Sequence, residues 1–216
     1  MVKVKICGFM EQEDVMEACR AGADMIGVIV DAPVRRSATP ERAMRLFSVV
    51  PESVSRVAVI VPKGVDHAVR IVHELNPDYL QTHGSMAAAE LRDIKEATGV
   101  RIMAVVSIPQ KVKEPQRVMA RALEITKVAD FILVDTAHAG AGGGTGLTHD
   151  WNVSRLVRET IDRPLVLAGG LNPSNVREAI EAVEPYGVDV ASGVESEVGK
   201  KDPKLMREFI RAARGV

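Results

Sequence analysis

The sequence has few of the features that mark proteins that bind nucleic acids or span membranes. Aromatic residues make up only 3% of the 216 positions, which leaves little material for platforms on which bases stack. The 28 Lys and Arg residues nearly balance the 29 Asp and Glu residues, so no basic excess is available to bind phosphate backbones. No apolar run approaches the roughly 20 residues of a membrane helix. We therefore expect neither a nucleic-acid partner nor a membrane partner.

Cysteine is also scarce, and the sequence opens without an export signal. Only Cys7 and Cys19 occur. The opening MVKVKICG has the pattern of a strand and lacks the apolar segment of a signal peptide. Two thiols in such a chain favour a reducing compartment in which both are free. We therefore predict a cytoplasmic protein.

Short β-branched runs alternate along the whole chain with amphipathic helical stretches. The starts of successive runs lie roughly 22 to 33 residues apart, which is the scale of a strand-plus-helix unit. Eight runs are strand candidates: 2–7, 25–30, 56–61, 79–83, 101–108, 131–136, 164–170 and 187–193.

The helical stretches carry their own start signals. A capping residue followed by proline predicts the first turn of a helix, and apolar residues that recur at i, i+3, i+4 and i+7 predict its buried stripe. After Asp202, the stripe consists of Met206, Phe209, Ile210 and Ala213. Three pairs carry the start signal: Thr39-Pro40, Asn172-Pro173 and Asp202-Pro203.

Eight strand-plus-helix units in 216 residues predict an α/β protein, a (β/α)8 TIM barrel. The rival architecture is a doubly wound open sheet, which eight units would make unusually long. Because neither a linker nor a break in composition divides the chain, we predict one domain over residues 1–216.

Barrel enzymes place their active sites at the carboxyl ends of the strands, which directs attention to the residues found there. Side chains alternate between the two faces of a strand. If one face of each strand points inward, five polar side chains converge on the mouth of the barrel: Lys5, Cys7, Gln81, His83 and Asp135.

Glycines cluster at three consecutive strand ends. Five fall between Gly140 and Gly146, and the next two strands end in Gly169-Gly170 and Ser192-Gly193. Neither nucleotide-binding fingerprint, G-x-G-x-x-G or the Walker loop, is present in the first cluster. Loops after the seventh and eighth barrel strands frequently bind phosphate through backbone N–H groups. We predict a phosphate site there, while the plainer alternative is that these glycines only turn the chain.

The residues at the strand ends resemble the phosphoribosylanthranilate isomerase family of the tryptophan pathway. Two features depart from the family pattern: Arg35 and Arg36 stand where one arginine is usual, and AHAGAG precedes the last GGTG. The resemblance is carried by KICG at 5–8, RRSATPE at 35–41, LQTHG at 80–84, LVDT…GGTG at 133–146, LAGGLNPSNV at 167–176, GVDVASGVE at 187–195 and KD at 201–202.

The resemblance implies an Amadori rearrangement of N-(5-phosphoribosyl)anthranilate to 1-(o-carboxyphenylamino)-1-deoxyribulose 5-phosphate, without a cofactor or a metal. Asp135 would be the general acid that opens the furanose ring, and Cys7 the general base that removes the C2 proton. Arg36 would bind the anthranilate carboxylate, and Arg35 could share that role. The other expected substrate contacts are Lys5, Gln81, His83, Gly144, Gly146, Gly169, Gly170, Asp189, Ser192 and Gly193.

The chemistry suits these residue types, although each has a plainer interpretation. The acid must hold its proton near neutral pH, and the base needs either a depressed pKa, which Lys5 could supply, or a transient thiolate. Cys7 could instead be a small core residue, and Asp135 could cap its loop. His83 could give polar support, and Asp189 could orient another group or pair with a buried cation.

Two other classes of function compete with this hypothesis. One is another phosphosugar barrel, such as an epimerase, and the other is a barrel that binds phosphosugars without catalysis. Both leave Cys7 and Arg36 unexplained. His138 and His149 have no ligand-like spacing with His83, so we predict no metal site. The assembly that we favour is a homodimer.

Overall fold

Parallel strands and helices alternate along the chain in the computed structural model, which describes residues 1–84, 86–137 and 147–216. The strands are β1 Lys3–Cys7, β2 Met25–Val30, β3 Ser37–Ala38, β4 Ser55–Ile60, β5 Tyr79–Thr82, β6 Arg101–Ile108, β7 Phe131–Thr136, β8 Leu165–Leu167, β9 Gly187–Val190, β10 Glu195–Glu197 and β11 Lys200–Lys201. The helices are α1 Gln12–Ala21, α2 Pro40–Phe47, α3 Val65–Leu75, α4 Ala88–Thr98, α5 Pro115–Thr126, α6 Trp151–Thr160, α7 Val176–Val183 and α8 Pro203–Arg214, with a 3₁₀ turn at Ser192–Val194.

Eight of the strands close into a parallel barrel in the order β1-β9-β8-β7-β6-β5-β4-β2, and β2 pairs with β1 again. Strand β3 pairs in parallel with the end of β2, outside the barrel order, and β10 and β11 form a separate antiparallel pair. Closure confirms the predicted TIM barrel and excludes the open sheet. Each of the eight predicted strands is present, but β8 and β9 end at Leu167 and Val190, so Gly169 and Gly170 lie in a loop and Gly193 lies in the 3₁₀ turn.

The strands divide their side chains between two apolar layers. Val4 and Ile6 of β1 pack outward against the helices in the larger core, whereas Cys7 lies in the smaller core inside the barrel. Tyr79, Phe131 and Leu133 belong to the inner core as well. The alternation inferred from the sequence therefore assigns the inward faces of β1, β5 and β7 correctly.

Two of the three predicted helix starts are confirmed. Thr39 accepts a hydrogen bond from Arg42 N at the start of α2, and Asp202 caps α8, whose predicted apolar stripe is buried. The prediction for Asn172-Pro173 is wrong, because α7 begins only at Val176. The Asn172 side chain instead accepts bonds from the backbone and hydroxyl of Ser174, which holds a turn before the helix. Among the described helices, none is long and apolar enough to cross a membrane.

Candidate active site

A cavity of about 760 Å³ opens at the carboxyl ends of the barrel strands. Nine of the site residues predicted from the sequence line this cavity, so the strand ends converge as the barrel hypothesis requires. These are Cys7, Arg36, Gln81, His83, Asp135, Gly169, Gly170, Asp189 and Ser192.

A buried ion pair lies at the bottom of the cavity. Lys5 Nζ donates to Asp189 Oδ1 at 2.9 Å, and the Lys5 side chain is 1% exposed. The two residues face each other across neighbouring strands, since the register of β1 and β9 pairs Lys5 with Asp189. Burial alone would lower the pKa of Lys5, but Asp189 and Cys7 outweigh it and raise that pKa. We call Lys5 and Asp189 the floor pair.

Cys7 lies beside the floor pair on the same face of β1. Burial raises the pKa of its thiol, while Lys5 and Lys201 oppose that rise and Asp189 adds to it. The neighbouring position on β2 is Gly27, where a Cβ atom would lie 2.8 Å from Cys7 Sγ and 3.0 Å from Lys5 Nζ. A glycine there leaves the room that the thiol and the ammonium group occupy.

Asp135 approaches the same cavity from another part of the barrel. It lies at the end of β7, opposite Ser107 of β6, and is half-buried. Strands β8 and β9 separate β7 from β1, so Asp135 and Cys7 reach the cavity from different strands of the closed sheet. The barrel thus presents a carboxyl group and a thiol to one cavity.

A second group of buried charges joins the loops after β2 and β9. Glu195 accepts from Nε and Nη2 of Arg36 at 2.8 Å and 2.7 Å, and from Lys201 Nζ at 2.9 Å. Lys201 also donates to the carbonyl of Ala191 at 2.9 Å. We call Arg36, Glu195 and Lys201 the rim cluster. Within the cluster, the two cations share the carboxylate of Glu195.

The pKa values in the rim cluster follow from this sharing. Burial would raise the pKa of Glu195, but the bond from Arg36 and the charge of Lys201 lower it below its usual value. Burial lowers the pKa of Lys201, and the attraction to Glu195 does not restore it. Sequence reasoning missed Glu195 and Lys201 as site residues, although both stand in the stretches GVDVASGVE and KD.

Two polar residues of β5 and its end differ in burial. Gln81 is 3% exposed, and its Oε1 atom has no hydrogen-bond partner among the described residues. A buried acceptor of this kind favours a donor from a ligand. His83 lines the same cavity but is exposed, and its backbone N–H donates to the carbonyl of Ile60 at 2.8 Å.

The glycine loops after β8 and β9 lie against each other. Gly169 and Gly170 have φ values of +90° and +68°, which residues other than glycine rarely adopt. A Cβ atom on Gly193 would collide with the carbonyl of Leu171, so the two loops meet backbone to backbone. Gly193 itself is not among the described cavity lining. Gly144, Gly146 and His138 lie outside the described residues.

Asp31, another strand-end carboxylate, does not belong to this site. Its φ of +48° turns the backbone at the end of β2, and its carboxylate binds groups from the next helical unit. Asp31 Oδ2 lies 3.1 Å from Lys63 Nζ and 2.9 Å from His67 Nε2. The described residues include no group of three or more His, Cys, Asp or Glu side chains that could hold a metal ion.

Comparisons with known proteins give one family for nearly the whole chain. Residues 4–212 match the family model of N-(5′-phosphoribosyl)anthranilate (PRA) isomerase. The N-(5′-phosphoribosyl)anthranilate isomerase of Haloferax volcanii is 44% identical over 216 residues, covering 99% of this chain and 94% of that protein.

Solved structures give the same result. Monomers of the dimeric phosphoribosylanthranilate isomerase of Thermotoga maritima share 35% identity, with a TM-score of 0.86 and 100% of both chains covered. A phosphoribosyl anthranilate isomerase in complex with reduced 1-(o-carboxyphenylamino)-1-deoxyribulose 5-phosphate shares 34% identity, with a TM-score of 0.85 and the same 100% coverage.

Proposed function

Because this chain belongs to the N-(5′-phosphoribosyl)anthranilate isomerase family, we propose that Cys7 and Asp135 are its general base and general acid. The chain is an isomerase of tryptophan biosynthesis, and its substrate is N-(5′-phosphoribosyl)anthranilate. One observation carries the assignment of the two groups: a thiol and a carboxyl group from separate strands line a single cavity.

The proposed reaction has two proton transfers. Asp135 gives its proton to the furanose ring oxygen, the C1–O bond breaks, and the nitrogen lone pair forms a C1=N iminium ion. The Cys7 thiolate then removes the proton from C2, and the electrons of the C2–H bond form an enol with C1 while the nitrogen becomes neutral. Protonation at C1 and loss of the enol proton give the C2 ketone of the product.

The pKa of Cys7 bears on the form in which it acts. Since burial raises this pKa, the thiol holds its proton in most molecules at neutral pH, and the thiolate is a minor species. Lys5 and Lys201 favour that species, because both cations lower the pKa. Of the two forms expected from the sequence, a transient thiolate therefore fits the site better than a standing one.

The rim cluster supports the role proposed for Arg36. Glu195 binds the guanidinium group through two nitrogens, and this fixes the plane of the group. Arg36 lines the cavity, and its planar guanidinium group suits a planar carboxylate such as that of anthranilate. Arg35 is exposed at the cavity edge and has a lesser part in this proposal.

The opposite end of the substrate suits the glycine loops. The phosphate would lie between Gly169-Gly170 and Ser192-Gly193, where the positive φ values of Gly169 and Gly170 and the close approach of Gly193 to Leu171 leave a surface of backbone rather than of side chains. The unpartnered Gln81 Oε1 would accept from a sugar hydroxyl. A crystal grown in sulfate should show the anion at the backbone of Gly170 and Gly193, and loops without an anion at saturating sulfate would contradict this placement.

We also propose a cellular compartment, the cytoplasm, and an oligomeric state, the homodimer. The two cysteines are unpaired, which suits a reducing cytoplasm, and the chemistry relocates protons without any need for a cofactor. A homodimer is supported by the relative of Thermotoga maritima that is described as dimeric. Light scattering of the purified protein measures the assembly directly, and a monomer mass would contradict it.

Substitution of the two reacting groups tests the proposed function. Cys7→Ser and Asp135→Asn keep the size of the side chain, and each should lower kcat by at least the ~100-fold typical of a lost general acid or base. Cys19→Ser is the matched control, because Cys19 lies on α1 away from the cavity and should keep wild-type kcat. Wild-type turnover by Cys7→Ser would remove this thiol from the mechanism. Failure of the unaltered chain to support a tryptophan auxotroph that lacks the isomerase would contradict the activity itself.

A further inference from the structure

The strand end that bears Asp135 is supported by the sheet on one side only. Asp135 and Thr136 pair with Ser107 and Ile108 of β6. On the other side, the pairing of β7 with β8 stops two residues earlier, at Val134. The chain then turns away through Gly169, which packs so closely on Thr136 that a Cβ atom would collide with its hydroxyl.

A chain of three buried polar side chains holds the end of β7 on the side where the pairing with β8 has stopped. Thr136 Oγ1 lies 2.9 Å from His149 Nδ1, and His149 Nε2 lies 2.5 Å from Ser154 Oγ. The three residues are 3%, 4% and 0% exposed, so water does not compete for these bonds. Ser154 belongs to α6 and His149 directly precedes Asp150, the capping residue of that helix. This Thr136–His149–Ser154 relay therefore ties the end of β7 to the start of α6.

The relay depends on the His149 ring being neutral. Burial lowers the pKa of His149 to about 4, so the ring is neutral at neutral pH. A neutral imidazole has one nitrogen that donates and one that accepts, and the relay uses both. Removing the ring would leave two buried hydroxyl groups without their partner, which is costly.

We propose that His149 is a positioning residue of the isomerisation: by bridging Thr136 to Ser154 it fixes the end of β7 and thereby the placement of Asp135 at the sugar ring oxygen. The inference rests on the role proposed above for Asp135. It does not require contact with the substrate. Thr136 lines the cavity, whereas the described part of the lining includes neither His149 nor Ser154.

The expected effect is a loss in the chemical step with little loss of binding. A misplacement of a reacting group by about 1 Å can cost ~100-fold in rate, although the substrate is still held by its own contacts. The rim cluster lies in the loops after β2 and β9, which are separated from β7 in the order of the sheet, so a small shift of the β7 end leaves it in place. Gly169 contacts Thr136 and would follow it in part, so we expect a small loss of phosphate binding beside a larger loss of kcat. Substrate affinity and kcat should therefore separate.

Thr136→Val is the sharpest variant, because it removes the hydroxyl group and keeps the shape. We expect it to lower kcat by about 10- to 100-fold, as His149→Phe should, with affinity for the reduced product analogue nearly unchanged. Thr136→Ser retains the hydroxyl group and should recover most of the loss. Thr126→Val is the matched control, since Thr126 is also a buried threonine whose hydroxyl group donates to a backbone carbonyl, in α5. It should lower only the free energy of unfolding.

A double variant separates this inference from the proposed function. Once Asp135→Asn has removed the acid, adding Thr136→Val should cost no further kcat. If Asp135→Asn alone leaves kcat intact, the proposed role of Asp135 fails. If Asp135→Asn lowers kcat but Thr136→Val and His149→Phe do not, the positioning role of His149 is wrong. A full additional loss in the double variant would also overturn it.

Discussion

Lys5 and Lys201 are both buried lysines beside one cavity, but Lys5 has the carboxylate of Asp189 to itself while Lys201 shares Glu195 with Arg36. The pKa of Lys5 is raised, because Asp189 and Cys7 outweigh the burial that would lower it. The pKa of Lys201 is lowered, because burial outweighs the attraction of a carboxylate that a second cation also uses. The direction in which the pKa of each lysine moves therefore depends on its charged neighbours as well as on its burial.

The two groups of charges also suit different tasks. The floor pair lies next to the thiol, so we expect it to act on the proton chemistry proposed for Cys7. The rim cluster reaches the cavity through Arg36, the group proposed to bind the anthranilate carboxylate. Substitutions in the two groups should thus differ in stability, in binding and in thiol ionisation.

The largest expected difference is in stability. Glu195→Gln removes the carboxylate that Arg36 and the buried Lys201 both bond, and we expect the free energy of unfolding in urea to fall by about 3–5 kcal/mol. Asp189→Asn removes a carboxylate that only one lysine bonds, Lys5, and should cost less. Glu197→Gln is the control, because Glu197 is an exposed carboxylate of the same hairpin and should change little. Equal losses in Glu195→Gln and Asp189→Asn would erase the distinction between the two groups.

The second largest difference between the floor pair and the rim cluster should be in binding of the reduced product, measured by calorimetric titration. Arg36→Met should weaken binding of the reduced product by about 1.5–3 kcal/mol, the range of a hydrogen bond to a charged group. Glu195 keeps Lys201 as a partner in this variant, so the fold should suffer less than in Glu195→Gln. Lys5→Met should instead lower kcat and leave binding nearly intact.

Arg35→Met is the matched control for Arg36→Met in the calorimetric titration. It removes an exposed arginine from the same loop and should have the smaller effect. If only Arg35→Met weakens binding, the family register of this loop is off by one. If neither substitution does, the carboxylate site lies elsewhere.

The smallest expected effect is on the ionisation of the thiol. Alkylation by iodoacetamide reports the thiolate of Cys7, and in a Cys19→Ser background its rate should rise with a midpoint above pH 9.0, the usual pKa. Lys5→Met removes a cation that lowers this pKa and should move the midpoint to higher pH, and Asp189→Asn should move it lower. Lys201→Met should raise it less than Lys5→Met, because Lys201 contributes less to the pKa of Cys7. A larger shift from Lys201→Met would show that the rim, not the floor, controls the base.

Much of the site could be predicted because strand periodicity is local. The alternation of side chains along β1 and β5 is enough to assign Cys7 and Gln81 to the interior of the barrel. The alternation does not extend beyond β2 to Asp31, whose φ is +48° and whose carboxylate bonds Lys63 and His67. It also gives no warning that α7 starts at Val176 rather than after Asn172, since the side chain of Asn172 closes a turn of its own.

The barrel, its strands and their inward faces could be predicted from the amino-acid pattern, because hydrophobic patterns with periods of 2 and 3.6 residues are set by neighbours in the chain. Which charges share a partner follows only from the folded chain. Arg36 and Glu195 are 159 residues apart, and Lys201 joins them through a hairpin that no periodic pattern announces. Loop side chains meet according to where closure of the sheet brings the strand ends, and that closure is a property of the whole chain.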